Sequence, residues 1–580
     1  MSYHLSSPRI IRFVLAAALA ALLLVAYISL APTAKAVESA LWQDFVAAKA
    51  SGSEPILPDF SYAGYDYSES DIPDTTSWAV FNVTDYGAVA NDGNYDDVAI
   101  QAAIDAAEAA GGGVVFFPAG RFMVSPNETV GENIFINGSN IVLQGSGSGT
   151  GGTEIFADKM KVNNGRYMFE VSPLSVSEST LTTVTADAAR ESYVIEVADG
   201  SALSVGQRII LRTNSVAFAQ SYYEDLGIDS DWTRLLDESR GFNLRELHTV
   251  ADIDGNTVTL REPLHITLDT DGTTIAVRSY SVIENVGIED IHFKGNWDSY
   301  PEEFVHHKDD IHDYAWNAIR FDNVVNGWIR NVELKDWNQG IFIDGSAALT
   351  IDNITFLGKR GHTSIHTRRS YGVLVKDSQD LAWFHHGPGL GYWGCGTVYL
   401  RYTMFPGQRM DSHSGSPYAN LFDNVVNGHF DGNGGPHESY PHHGKHFVAW
   451  NNIIEGGPGH YHFWPSSRNG HTFALPYFSG LRGESVTMEE GTYGANELPG
   501  EEVEPSSLFE AQLALRLSAA SSSSSSVSSA SSSSSIGSSS TAGGSTSGQG
   551  SGGQGGGAVH WLVLMLLAGV SLFKRFKPSR

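Results

Sequence analysis

The stretch FNVTDYGAVANDGNYDDVAIQAAIDAAEAAGGGVVFFPAGRFMV, residues 81–124, decides the fold. It reads as strand, turn, helix, strand. Asp96 and Asp97 stand where a helix takes its N-cap and first-turn acids. Val98, Ile100, Ala103, Ile104 and Ala107 give an apolar stripe at helical spacing. Gly111-Gly112-Gly113 ends the helix, Val114–Phe117 is a buried strand, and Pro118-Ala119-Gly120 turns it.

Downstream, short runs of Val, Ile and Phe recur with Asn, Asp and Gly between them, as in NIFINGSNIVLQGSG, SVIENVGIEDIHFKGN and LTIDNITFLGKRGH. The heptapeptide FDNVVNG occurs twice, at 321–327 and 422–428. Stacked coils need the same strand and turn chemistry on each rung, so both copies are expected on equivalent rungs. Residues 172–280 differ. They carry hairpin-like turns at Asp199-Gly200 and Asp254-Gly255-Asn256, and read as a small β insertion that could wall off a groove.

The opening pattern, V-x-D-Y-G-A, then D-G, D-D, A-I-x-x-A-I, G-G-G and F-P-A-G, resembles the start of pectate-lyase-superfamily proteins. The resemblance implies an all-β fold: a right-handed single-stranded parallel β-helix with a short N-terminal capping helix and a small β insertion. It points to carbohydrate-active enzymes. In that family this segment caps the helix end and does not mark the active site. LPDFSYAGYDY, Leu57 to Tyr67, is also similar to stretches of β-helix polysaccharide-degrading enzymes.

The ends carry different signals. Arg9 and Arg12, the apolar run Phe13–Ala31 and Ala34-Lys35-Ala36 make a secretory signal peptide over 1–36. Residues 519–557 are a Ser/Gly-rich linker, read as a flexible tether. Residues 558–580 pair an apolar run with Lys574 and Arg575. Glycines, apolar run and basic tail resemble the GlyGly-CTERM sorting signal of Gram-negative bacteria. That resemblance implies a sorting protease as partner and delivery to the outer cell surface or release. Between the ends lie an arm (37–80), the cap and first rungs (81–171), the insertion, and rungs bearing a catalytic face (281–518).

One cysteine, Cys395, excludes an intrachain disulfide. A net charge of −29 argues against nucleic acid as a partner, so an anionic substrate needs a local basic patch. A monomer is expected. The match of Gly147, Gly149 and Gly152 to a dinucleotide fingerprint has no helix after it, and Pro441 excludes a zincin helix from His437-Glu438.

Seventeen of the 21 histidines lie between His292 and His471. They cluster at Lys359–His362 with His366 and Arg368-Arg369, at Trp383–Gly387, at Arg409–Gly415 and at His437–His446. An acidic group, His306 to Asp313, precedes them. β-Elimination from a uronate needs a cation on the carboxylate, a base for the C5 proton and an acid for the leaving oxygen. Arg409 or Arg360 serves as neutraliser, His413 or His443 as base, Tyr440 or Lys445 as acid, and Asp411 as acid or orienter. His362, His385, His386, His442, His446 and Arg360 are expected to bind substrate, with Trp464 as sugar platform. Paired carboxylates would serve a glycoside hydrolase instead. The N-T-D, D-D, G-H-G and R-I-K set of the polygalacturonase-type family is absent. His385-His386, His442-His443 and His446 could bind a transition metal, and turn aspartates could bind calcium; neither is required. The reading is an exported polysaccharide-degrading enzyme, a lyase on an acidic polysaccharide, with a β-helix hydrolase and a glycan-binding surface protein as alternatives.

Overall fold

The computed structural model describes residues 37–127, 133–160, 166–228, 232–432, 434–435, 437, 439–464 and 471–531. The expected signal peptide at 1–36, most of the expected linker and the 558–580 segment lie outside the described residues. Among the described residues, no helix is long and apolar enough to cross a membrane.

A 28-stranded parallel sheet winds into a right-handed β-helix from Val80–Asn82 to Ala495–Glu497. Each strand pairs with its counterpart one coil later: Leu374 with Val398, Val398 with Leu421, Leu421 with Val448. Inward residues stack as like on like. Ile319, Ile341 and Ile365 form one such column and are all buried. Each such side chain contributes roughly 1.5–3 kcal/mol on burial. Asparagines with positive φ, such as Asn323, Asn326, Asn424 and Asn427, turn the corners between strands.

Helix α1 (Ala40–Ser51) packs on the flank of the coils, and α2 (Asp97–Ala109) caps their end, burying Ile100, Ala103, Ile104 and Ala107. Two details differ from the sequence reading. Val98 is exposed rather than part of the stripe. Asp96 makes no side-chain cap; its carboxylate accepts from the Val89 and Met123 amides and so ties the helix start to the first coils. The last helix, α3 (Leu508–Ser531), continues into the serine run expected as a tether. Serine is only modestly unfavourable in a helix that is already nucleated.

The two FDNVVNG copies do not sit on equivalent faces. The stack through Phe321 passes to Ile343 and Thr367, whereas Phe422 stacks on Tyr399, Val375 and Ile351. What the copies share is the corner, with left-handed asparagines at the same two places.

Strands between Glu178 and Tyr280 form a separate six-stranded antiparallel sheet with its own core, including Leu211, Leu247 and Val277. It docks on Tyr371, Cys395 and Tyr418 of the coils. Its buried His248 Nε2 lies 3.1 Å from Glu246 Oε1, with Glu262 3.6 Å from the other nitrogen. Tyr418 Oη donates to Glu246 Oε2 at 2.7 Å, which ties the two cores together.

Candidate active site

Five stacked strands carry the site: β1 (Gln339–Asp344), β2 (Thr363–Arg368), β3 (Gly389–Gly391), β4 (Thr403–Ser412) and β5 (Val426–Asp431). Parallel pairing puts Phe342, His366, Gly389, Asp411 and Asp431 in one column, with Arg320 before it. The rungs lie about 4.8 Å apart, so residues far apart in sequence become neighbours. Gly389 leaves a gap in the column. A Cβ there would stand 2.6 Å from His366 Nδ1, and one at Gly391 would stand 2.9 Å from His366 Nε2. The His366 ring lies over both glycines and meets His413 edge-on at 5.6 Å.

Asp411 is fully buried. Its Oδ2 accepts from His413 Nδ1 at 3.1 Å, and His386 Nδ1 lies 3.0 Å from the same oxygen. Burial acts to raise the Asp411 pKa, but His386 and His413 outweigh it and hold the carboxyl well below its usual range. With Nδ1 donating to Asp411, a neutral His413 carries its lone pair on Nε2.

This group lines a cleft of about 260 Å³ with Arg320, Arg368, His307, His362, His366 and three tyrosines, Tyr167, Tyr314 and Tyr392. The arginines gather on Asp344. Arg368 Nε donates to its Oδ2 at 2.9 Å, Arg369 Nε to its Oδ1 at 2.7 Å, and Arg320 lies 3.4 Å away and also 2.9 Å from Asp322. Three guanidiniums thus gather about Asp344 beside the cleft, and two of them, Arg320 and Arg368, line it. Burial works against ionised Asp344, yet Arg369 and Arg368 hold its pKa far down.

A second cleft, about 490 Å³, lies alongside and is lined by Arg360, Trp383, His385, Arg409, His429 and Asp431 among others. The Arg360 guanidinium sits 4.5 Å over Trp383, which stacks on Phe405 and is 45% exposed. Arg360 makes no ion pair among the described residues, whereas Arg409 Nε pairs with Asp431 at 3.0 Å. Among the described residues, the insertion lines neither cleft. The insertion instead lines a separate recess with Lys445 and His446.

The histidines between the clefts are held neutral. Burial, then His386, pushes His306 down to about 4. Burial, then the same neighbour, lowers His385 to about 3 and His362 well below its ordinary value. Burial and then His413 bring His366 to about 3.

The structure therefore gathers Asp411, His413, His386, His362, His385, Arg360 and Arg409 at two adjoining clefts. The other sequence-predicted residues lie elsewhere. His443 is a core histidine: Nδ1 donates to the Gly444 carbonyl, Nε2 accepts from Asn420, the ring packs on Phe447 and Phe473, and burial takes its pKa to about 3. His442 is buried against Thr472. Tyr440 is buried edge-on to Trp393. Lys445 pairs with Asp225 of the insertion at 3.0 Å, and His446 stacks on Tyr477. Trp464 packs on Trp232 and Tyr223 of the insertion, so it is not the platform; the exposed indole is Trp383. Sequence reasoning gave no role to Arg320 or Tyr167, and placed Tyr392 only among the aromatics that could stack on sugar. Arg320 and Tyr167 come from earlier coils, and only the strand register brings them in. Arg368, His306 and His307 were visible as clusters, but not their convergence.

Residues 80–221 match the family model described as "Rhamnogalacturonase A/epimerase, pectate lyase-like", and residues 384–522 match a domain of unknown function, DUF4955. The chain thus carries a pectate-lyase-like segment, while His385, His386, Arg409, Asp411 and His413 fall in the second match. Mannuronan C5-epimerase AlgE1 of Azotobacter vinelandii is 48% identical over 71 residues, 12% of this chain and 5% of that protein. Alginate lyase 7 of the same organism is 47% identical over 70 residues, 12% of this chain and 8% of that protein. The matches span less than a tenth of these two relatives. Among solved structures, the tailspike protein gp49 from Pseudomonas phage LKA1 aligns with TM-score 0.42 and 15% identity, over 70% of this chain and 72% of that one.

Proposed function

We propose that the protein is an exported polysaccharide-degrading enzyme, a lyase that cleaves a uronate-containing polysaccharide by β-elimination. The observation behind this reading is the Asp411–His413 pair in a cleft that also holds Arg320, Arg368 and three tyrosines. Arg320 and Arg368, which line the cleft, bind the uronate carboxylate and make the C5 proton more acidic. His413, held in one tautomer by Asp411, takes the C5 proton on Nε2. The C4–O bond breaks as the C4=C5 double bond forms, and Tyr392 protonates the departing oxygen. Trp383 and Arg360 in the adjoining cleft bind the neighbouring sugar of the chain.

The names of the partial relatives support this substrate class: one acts at C5 of mannuronan and another is an alginate lyase. Epimerisation and elimination share the C5 deprotonation, and they part at whether the C4–O bond breaks. A carboxylate-pair hydrolase fits less well. Asp411 is fully buried against two imidazoles, and Asp431 is engaged by Arg409 and His471.

The test is a panel of alginate, pectate and neutral polysaccharides, followed by absorbance near 235 nm and by reducing ends. Both signals should rise on an acidic polymer. Reducing ends without the ultraviolet signal would identify a hydrolase. C5 exchange with D2O and no chain cleavage would identify an epimerase.

A further inference from the structure

His306 and His307 sit on the segment between strands Ile291–Gly295 and Asn317–Asp322, outside the stacked rungs. They meet His362 and His386, which belong to the rungs. The His306 ring centroid lies 3.7 Å from His307, 5.2 Å from His362 and 5.1 Å from His386. One ligand nitrogen from each of His306, His307 and His362 falls within 4.8 Å of the other two.

The tautomers are set from behind. His307 Nδ1 donates to the Asp313 carboxylate at 2.9 Å, and His362 Nδ1 donates to the Asp313 backbone carbonyl at 3.0 Å. A neutral ring that donates from Nδ1 has its lone pair on Nε2. One residue, Asp313, thereby presents two imidazoles in ligand form, the outer-shell pattern of metal-bound histidines. On the far side, His386 Nδ1 lies against Asp411, and its Nε2 is 3.3 Å from His306 Nε2.

We infer that His306, His307 and His362 bind one divalent transition-metal ion of the zinc class, with His386 outside that set, where it groups with His306 and His385. All three donors are imidazole nitrogens, which suits zinc and not calcium, an ion that takes oxygen ligands. The ion clamps the segment carrying His306 and His307 onto the rungs and so builds one wall of the cleft. The site goes beyond the lyase reading and does not depend on it.

The test uses the full chain, stripped with EDTA and dialysed. Zn2+ alone is titrated against a chromophoric chelator, and Co2+ serves as spectroscopic probe. One equivalent of Zn2+ should bind, with a rise in Tm, and Co2+ should give the visible absorption of a tetrahedral site. Ca2+ should not compete. His307 is exposed, so His307→Gln should fold and weaken Zn2+ binding tenfold or more. Asp313→Asn should weaken it about 10- to 100-fold. A folded wild-type chain that takes up no stoichiometric Zn2+, or affinity unchanged in both variants, overturns the site. Uptake is read without polysaccharide. A chain that binds Zn2+ and cleaves no polymer sinks the lyase reading alone, and one that cleaves without binding Zn2+ sinks this site alone.

Discussion

Asp411 is asked to do two things at once: stay ionised in a dry interior and fix the ring that takes a proton. Its two imidazole contacts make both possible. His413→Gln should therefore lower kcat by about 10²- to 10⁴-fold with KM nearly unchanged, the range of a lost general base. Asp411→Asn keeps the volume but removes the charge that orients His413. It should lower kcat as well and also lower Tm, because His386 and His413 lose their anionic partner. Steady-state kinetics beside thermal melts of both variants checks this. Equal loss of binding and turnover in His413→Gln would contradict a base.

The strand is the unit that made this site hard to read. Asp-x-His at 411–413 was legible because both residues lie on one strand end and face the same way. His443 and Lys445 have the same composition signal, yet they face the core and the insertion. Histidine density located the region, but it could not tell a turn histidine satisfied by a carbonyl from one that meets substrate. Arg320 and Tyr167 were illegible for another reason, since their proximity depends on register between coils. The glycines of β3 belong to this scale too. Gly389→Ala would push a methyl into His366, at 2.6 Å from Nδ1 before relaxation. The expected result is a loss of about 1–3 kcal/mol of stability, as for overpacking, together with reduced turnover. A melt indistinguishable from wild type would show that the gap in the column is not needed.

At the scale of the whole molecule, the fold was legible because a β-helix repeats one local rule. A cap helix, αL asparagines and buried β-branched columns all agree with one another. The repeat FDNVVNG shows the limit: it encodes a corner, and the same corner serves two faces. The insertion holds a different device. Burial opposes a charged His248, but Glu246 and Glu262 raise its pKa to about 9 from an ordinary 6.5. Between those values the folded state binds the extra proton, so this group's contribution to stability is full below pH 6.5 and is lost as pH rises toward 9. Asp423 acts with the same sign at lower pH, since burial lifts its carboxyl to about 7. The histidines held neutral act with the opposite sign near pH 6.5, where the unfolded chain takes up their protons, so the His248 signature is a decline in Tm from about pH 7.5 to pH 9, and a flat profile there would count against a charged His248.

The insertion also interrupts the winding itself. Val142 lies in register with Gly287, and Ile155 with Phe293, so coils that touch in the finished protein flank the whole antiparallel sheet in sequence. A ribosome completes the first coils, then must deliver the entire insertion before the next coil exists to cover them. During that interval their outer strands are an unpaired edge, the kind of surface that templates aggregation. The insertion closes most of its own ladder as it emerges, but its anchor points Tyr371, Cys395 and Tyr418 are translated only well after it. Biogenesis of this protein thus has a vulnerable window between residues 171 and 283, set by the order of synthesis and not by the strength of the final contacts.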